Sequence, residues 1–176
     1  MPLLPENNPL LQEIHTTEET YNAQLVELIR RLNVLQPSEP GLAFIEPMVV
    51  QLTKMLGISK ELLKASKGGT DVNAMLQQYL NIQAEISETF KKYPPLVSQF
   101  NTWWAKLNDE EKNRIDKATK DSAPPQFSSL SLSDFPIMPV QRLIRYELFC
   151  HELIKKNPAI PVYSAFQAAV KPEAKA

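Results

Sequence analysis

The chain has 176 residues, the size of one domain, and is long enough to bury a hydrophobic core without disulfides. Its 19 basic and 20 acidic residues give a net charge of −1, which argues against nucleic acid as a partner because such binders usually carry a basic excess. The single cysteine excludes an intramolecular disulfide and a metal site built from several cysteines.

The sequence shows neither a secretory signal nor a membrane-spanning segment. The first residues, MPLLPENNP, lack a basic region and a long apolar run. No stretch approaches the roughly 18 consecutive apolar residues that a transmembrane helix needs. We therefore expect a soluble, intracellular protein.

The first predicted helix runs from Pro9 to about Leu35. Asn8 is a good N-cap, and proline suits the first helical position. Glu13 and Thr17 lie one turn apart, beside the apolar stripe. This stripe has helical spacing and consists of Leu10, Ile14, Tyr21, Leu25, Leu28, Leu32 and Leu35. The PSEPG run at residues 37–41 predicts the end of the helix.

A second helix is predicted over residues 42–65. Gly57 marks a possible break or kink, after which Ser59 would cap a short final segment. The glycine-rich run at residues 67–71 predicts a loop.

The third helix should begin at about residue 70. Two prolines at residues 94–95 predict its end or a kink, although the apolar pattern continues beyond them. The two tryptophans at residues 103–104 could form a platform for a ligand. Their helical spacing with neighbouring apolar residues favours core packing instead.

A short charged helix should follow, with Asn108 as its N-cap and Glu111 completing a capping box. It extends to about Lys120 and has few apolar residues, which is typical of a solvated helix. Residues 121–133 are rich in proline and serine, and they predict a loop rather than a strand.

The last clear helix is predicted over residues 134–157. Ser133 is its expected cap and Pro136 falls in its first turn, whereas Pro139 lies deeper and predicts irregular geometry. An apolar face consists of Val140, Leu143, Tyr146, Cys150, Leu153 and Ile154. The opposite side carries Gln141, Arg142, Arg145 and Glu152.

These patterns predict an all-α domain of five or six helices in a bundle. The chain has no internal repeat and no glycine-rich phosphate loop. A short apolar segment at residues 162–170 completes the domain, which we expect to span residues 9–170. Residues 1–8 and 171–176 are expected to be flexible ends.

Groups that could support covalent catalysis or metal binding are absent from the sequence pattern. His15 and His151 have no ligand partner at metal spacing, so we expect neither a metal nor another cofactor. Cys150 lies on the apolar face, where a small core residue is the simpler interpretation than a nucleophile. The sequence therefore favours a protein that works by binding.

Two segments resemble a known family. Residues 139–155, PVQRLIRYELFCHELIK, are similar to the third signature block of the Dbl-homology (DH) domain, P-x-Q-R-x-x-[KR]-Y-x-L-L-x-x-E-L, with Phe149 at the second leucine. Residues 13–21, EIHTTEETY, resemble its first block, E-[IL]-x-x-T-E-x-x-Y. Residues 93–107 are similar to the looser second block. The three blocks occur in the family's order.

The resemblance implies an elongated multi-helix bundle that acts as a guanine nucleotide exchange factor for a Rho-family small GTPase such as Rho or Rac. Such proteins catalyse no covalent chemistry. They bind the switch regions of the GTPase and disfavour bound Mg²⁺ and nucleotide. We expect no pleckstrin-homology domain within this chain. We expect a cytoplasmic protein, or one in the host cytosol if the chain is a secreted pathogen effector.

The resemblance also implies a GTPase-binding site. Glu13 corresponds to the first-block glutamate that engages switch I, and Arg145 to the basic residue of the third block that contacts the switches. Gln141 and Arg142 match a pair that supports or touches the same surface. The resemblance further implies apolar contacts with switch II from Ile144 and Leu148.

Two alternatives remain open from the sequence. A non-catalytic scaffold of DH type would bind a GTPase or another protein without exchange. The short segment at residues 162–170, which Pro172 ends, favours this alternative because the resemblance implies a longer last helix there. Glu13 could be an ordinary first-turn residue, and the arginines could pair only with Glu147 or Glu152. The identity of the GTPase and the oligomeric state are not encoded in a readable pattern.

Overall fold

The computed structural model describes residues 9–39, 41–67, 72–121 and 123–156. Within these ranges the chain forms five α-helices and no strand, which confirms the all-α prediction. The helices are α1 (Pro9–Ser38), α2 (Ile45–Ser66), α3 (Val72–Ala105), α4 (Asp109–Lys120) and α5 (Met138–Lys156). With 34 residues, α3 is about 51 Å long, so the bundle is elongated.

Some predictions fall outside the described residues. They are the flexible ends at residues 1–8 and 171–176, the apolar segment at residues 162–170, most of the loop at residues 67–71, and the exact start of the third helix near residue 70. Whether the side chain of Ile154 is buried, as predicted, is likewise outside what the structure describes.

Helices α1, α2, α3 and α5 form a closed ring of neighbours. The first helix packs against α2 and α5, and α3 packs against the same two helices from the other side. Helix α4 lies against α1. Every apolar residue predicted for the stripe of α1 is buried, so this stripe faces the centre of the bundle.

Helix α2 is continuous through Gly57, so the predicted break is wrong. A glycine in a helix costs about 1 kcal/mol relative to alanine. Burial of Ile58 and Leu62 outweighs that cost, because each large apolar side chain contributes about 1.5–3 kcal/mol when fully buried. Ser59 does not cap a segment. Its hydroxyl instead donates a hydrogen bond to the carboxylate of Glu18 in α1.

Helix α3 continues through Pro94 and Pro95, which excludes the predicted end at this point. Tertiary contacts on both sides of the two prolines explain the continuation. Tyr93 is fully buried and its hydroxyl donates to the carbonyl of Pro136 at 2.8 Å, while Phe100, about two turns after Tyr93, is also buried.

The two tryptophans pack in an aromatic cluster, as the core interpretation predicted. Trp103 and Trp104 each contact Phe100, with ring centroids 5.6 and 5.9 Å apart. Phe44, the residue just before α2, contacts Phe100 and Trp103 of α3. The cluster therefore joins the start of α2 to the end of α3.

The predicted capping box of α4 is confirmed. The backbone N–H of Glu111 donates to the Asn108 side chain at 2.8 Å, and the Glu111 carboxylate accepts from the Asn108 N–H at 3.1 Å. Among its residues only Ile115 and Thr119 are buried. This agrees with the prediction of a largely solvated helix.

The segment between α4 and α5 is held against α1 by a buried arginine. The guanidinium of Arg31 donates to the carbonyls of Leu130 at 2.6 Å and Phe127 at 2.9 Å. The same group lies 4.5 Å above the ring of Phe135 and 3.8 Å from the carboxylate of Glu27. These contacts join α1 to the segment before α5 and give two nitrogens of the buried guanidinium hydrogen-bond partners.

Helix α5 begins later than predicted. It starts at Met138, so Pro136 precedes the helix and Pro139 lies in its first turn rather than deeper. A proline costs little there because the first N–H groups of a helix have no partner within it. Ser133 is therefore not the cap of α5. The nearby cap is Ser131, which begins a 3-10 turn at Leu132–Asp134.

Candidate functional site

Helix α5 presents an exposed face of mixed character. Ile144 and Leu148 are 52% and 56% exposed although both are large and apolar. Gln141 and Arg145 are also exposed and lie at helical spacing with them. Exposed apolar residues beside polar and charged ones are typical of a protein-binding surface.

Arg142, the other arginine of the same motif, lies inside the bundle and is only 5% exposed. Its Nη2 donates to the Glu18 carboxylate at 2.8 Å, and its Nη1 donates to the hydroxyl of Thr17 at 2.9 Å. A third contact, 3.4 Å long, reaches the carbonyl of Ile14. The two arginines three residues apart thus have opposite environments.

Glu18 is the centre of a buried polar cluster and is fully buried. One carboxylate oxygen accepts from Arg142, while the other accepts from the hydroxyls of Ser59 and Tyr146. A carboxylate in a protein interior is stable only when its charge is paired and its oxygens are hydrogen-bonded. This group meets both conditions, and it joins α1, α2 and α5 at one point.

Aromatic rings surround the buried guanidinium. The centre of the Arg142 guanidinium lies 5.2 Å from the ring of Tyr146 and 5.1 Å from that of Phe149. Burial raises the pKa of Tyr146 well above its ordinary value, and the Glu18 carboxylate raises it further. The Tyr146 hydroxyl therefore stays protonated and remains a donor to Glu18.

Sequence reasoning missed Glu18, although a signal for it exists. The apolar stripe of α1 passes from Ile14 to Tyr21 and skips one turn. Glu18 fills that gap, four residues after Ile14 and three before Tyr21, so it points towards the core. A charged residue on the buried stripe requires a partner, and the buried arginine of α5 provides it.

A groove of about 360 Å³ lies between α1 and α5. Both helices provide its walls, and α5 contributes Met138, Gln141, Arg142 and Arg145. From α1 come Thr16, Thr17, Thr20, Tyr21 and Gln24. Glu13 is exposed on α1 and is not part of the lining. Of the six predicted site residues, five are exposed and Arg142 is buried.

The remaining candidates for chemistry have structural partners. His15 Nδ1 lies 2.8 Å from the hydroxyl of Ser66, and its Nε2 lies 3.5 Å from the Glu19 carboxylate. Cys150 is buried, and burial raises the pKa of its thiol, with the charge of Glu147 adding to the shift. Among the residues that the structure describes, no cluster of three or more His, Cys, Asp or Glu could hold a metal ion.

Comparison with known proteins gives one match. The RhoGEF domain model matches residues 10–172, which is most of the chain. No curated protein and no solved structure shows significant similarity to this chain. None of the helices in the described ranges is long and apolar enough to cross a membrane.

Proposed function

The chain belongs to the RhoGEF domain family, and on that premise we propose that it binds the switch regions of a Rho-family small GTPase and promotes the release of GDP. The family acts by nucleotide exchange without covalent chemistry. We propose that the exchange domain spans residues 9–170 and acts in the cytosol, or in the host cytosol if the chain is a secreted pathogen effector.

The observation that carries this proposal is the exposed face of α5. A face used only for packing within the bundle would not expose Ile144 and Leu148 by about half of their surface. Arg145 lies beside them on α5 and is exposed. It also lines the groove next to α1, so an apolar contact and a positive charge are offered to the same partner.

The two arginines have different proposed roles. Arg145 would contact the switch regions directly, together with Gln141 and Glu13. Arg142 would support this surface from inside, because its guanidinium is occupied by Glu18 and Thr17. The proposed apolar contacts to switch II come from Ile144 and Leu148.

Exchange then follows from linkage between two binding equilibria. A protein that binds the nucleotide-free GTPase more tightly than the loaded form must weaken nucleotide binding by the same factor. Each tenfold difference in affinity corresponds to about 1.4 kcal/mol. No bond is made or broken by the chain, so a rigid surface with a few well-placed side chains is sufficient.

The test is release of a fluorescent GDP analogue from a panel of purified Rho, Rac and related GTPases at micromolar concentrations of this chain. Acceleration with at least one member is the expected result. Binding to a GTPase without any acceleration would instead favour the non-catalytic scaffold. If the chain neither binds any member of the panel nor accelerates GDP release from it, both proposals are wrong.

Single substitutions then assign the surface. We expect Arg145→Ala and Glu13→Ala each to lower kcat/KM for exchange at least about tenfold, because truncation of a hot-spot residue costs about 2 kcal/mol or more. Their melting temperatures should stay close to the wild-type value because both side chains are exposed. Arg114→Ala removes another exposed arginine, in α4, and serves as the control.

A further inference from the structure

We infer that Glu18 is a positioning residue for exchange, which sets how α1 and α5 present their exposed side chains to the partner. This inference rests on the proposed function. Glu18 is fully buried and cannot touch a GTPase. Its influence must therefore pass through the side chains that it holds.

One route leads from Glu18 to the turn of α1 that carries Glu13. The carboxylate holds the guanidinium of Arg142, whose Nη1 donates to the hydroxyl of Thr17 at 2.9 Å. This hydroxyl donates in turn to the backbone carbonyl of Glu13, also at 2.9 Å. The exposed glutamate thus lies on a turn that is linked by hydrogen bonds to the buried carboxylate.

A second route leads to Arg145. Tyr146 follows Arg145 directly and donates its hydroxyl to Glu18 at 2.9 Å. Arg142 precedes Arg145 by three residues, which is nearly one helical turn. The same carboxylate therefore holds the turn of α5 on both sides of the exposed arginine.

Contacts with α2 hold the carboxylate itself. The Ser59 hydroxyl donates to the Glu18 oxygen that also accepts from Tyr146. Asn22 donates to the Ser59 oxygen at 3.2 Å. Because a displacement of about 1 Å at a functional group can cost on the order of 100-fold in rate, a fixed relation between α1 and α5 matters for exchange.

The chain offers a matched control for this inference. Glu27 is on the same helix, is 2% exposed, and pairs with Arg30 and Arg31. Through Arg31, Glu27 is linked to the segment before α5 rather than to the exposed face of α5. Glu18→Gln and Glu27→Gln thus remove the charge of a buried carboxylate in two different places.

The experiment measures exchange with the GTPase on which wild type is fastest, at a temperature where circular dichroism shows every variant to be folded. We expect Glu18→Gln to lower kcat/KM about tenfold or more. Glu27→Gln should stay near wild type. Tyr146→Phe, which removes one donor and no charge, should show a smaller loss in the same direction, and it replaces Glu18→Gln if that variant does not fold.

A double-variant measurement separates positioning from general loosening of the fold. If Glu18 acts through the placement of Arg145, then Arg145→Ala should cost clearly less in the Glu18→Gln background than in wild type. If the two losses multiply, or if Glu27→Gln is as damaging as Glu18→Gln, the inference is wrong. A wild-type chain with no exchange activity overturns the proposed function and this inference together, whereas an active wild type with unimpaired Glu18→Gln overturns this inference alone.

Discussion

Replacing Arg142 with methionine should destabilise the fold, because the buried carboxylate of Glu18 then loses its cationic partner. Methionine is apolar and flexible, so it can fill part of the space beside the surrounding aromatic rings. Removing one partner of a buried ion pair typically costs about 3–5 kcal/mol. The hydroxyls of Ser59 and Tyr146 still donate to the carboxylate, so we expect the lower end of this range, about 3 kcal/mol.

The assay is urea unfolding and thermal unfolding, both followed by circular dichroism at neutral pH. For a chain of this size, about 3 kcal/mol corresponds to a fall in Tm of roughly 6–12 °C. Arg114→Met is the control, because its partner Glu39 and the arginine itself are at the surface, with side chains 27% and 58% exposed. An exposed pair of this kind contributes about 1 kcal/mol or less.

A second variant tests the stated cause. If the unpaired charge of Glu18 causes the loss of stability, Arg142→Met combined with Glu18→Gln should be more stable than Arg142→Met alone. The double variant no longer contains the buried anion. Two results would refute the reasoning. One is a loss for Arg142→Met no larger than that for Arg114→Met, and the other is a double variant that is less stable than the single one.

Three further predictions concern the surface, a helix start and the pH dependence. Leu148→Asp should abolish binding to the partner GTPase in a pull-down while leaving the urea midpoint nearly unchanged, since the side chain is 56% exposed; retained binding would remove Leu148 from the site. Asn108→Ala should cost about 1 kcal/mol in urea unfolding through loss of the capping box, and an unchanged midpoint would contradict the role of the cap. Burial raises the pKa of Cys150 and of Tyr21, Tyr93 and Tyr146 in the folded state. Above about pH 9 these groups therefore ionise first in the unfolded chain, and the free energy of unfolding should fall as the pH rises further. A urea midpoint that stays constant between pH 7 and 11 would contradict this prediction.

The features that could be predicted from the sequence depend on neighbours along the chain. The apolar stripe of α1 needs only helical spacing, and the capping box of α4 needs only residues three apart. The exposure of Gln141 and Arg145 likewise follows from the apolar face opposite them, whereas the burial of Arg142 does not. For such features the local sequence contains most of the physical determinants.

The features that were missed depend on distant contacts. Local propensity places a break at Gly57 and an end at Pro94, but packing against neighbouring helices keeps both helices continuous. The motif alone does not separate Arg142 from Arg145. The difference becomes clear only when the partner of Arg142 is known, and Glu18 lies 124 positions away in the sequence.

This separation has a consequence during synthesis. Glu18 leaves the ribosome long before Arg142, because 124 residues at about 5–20 residues per second take roughly 6–25 s. During this interval the carboxylate has no cation to enter the core with, so α1 and α2 can pair only with Glu18 still in contact with water. We expect nascent chains stalled before residue 142 to be cleaved readily by protease within α1, and chains stalled well beyond α5 to resist. The buried ion pair would thus time the closure of the bundle, in addition to holding it closed.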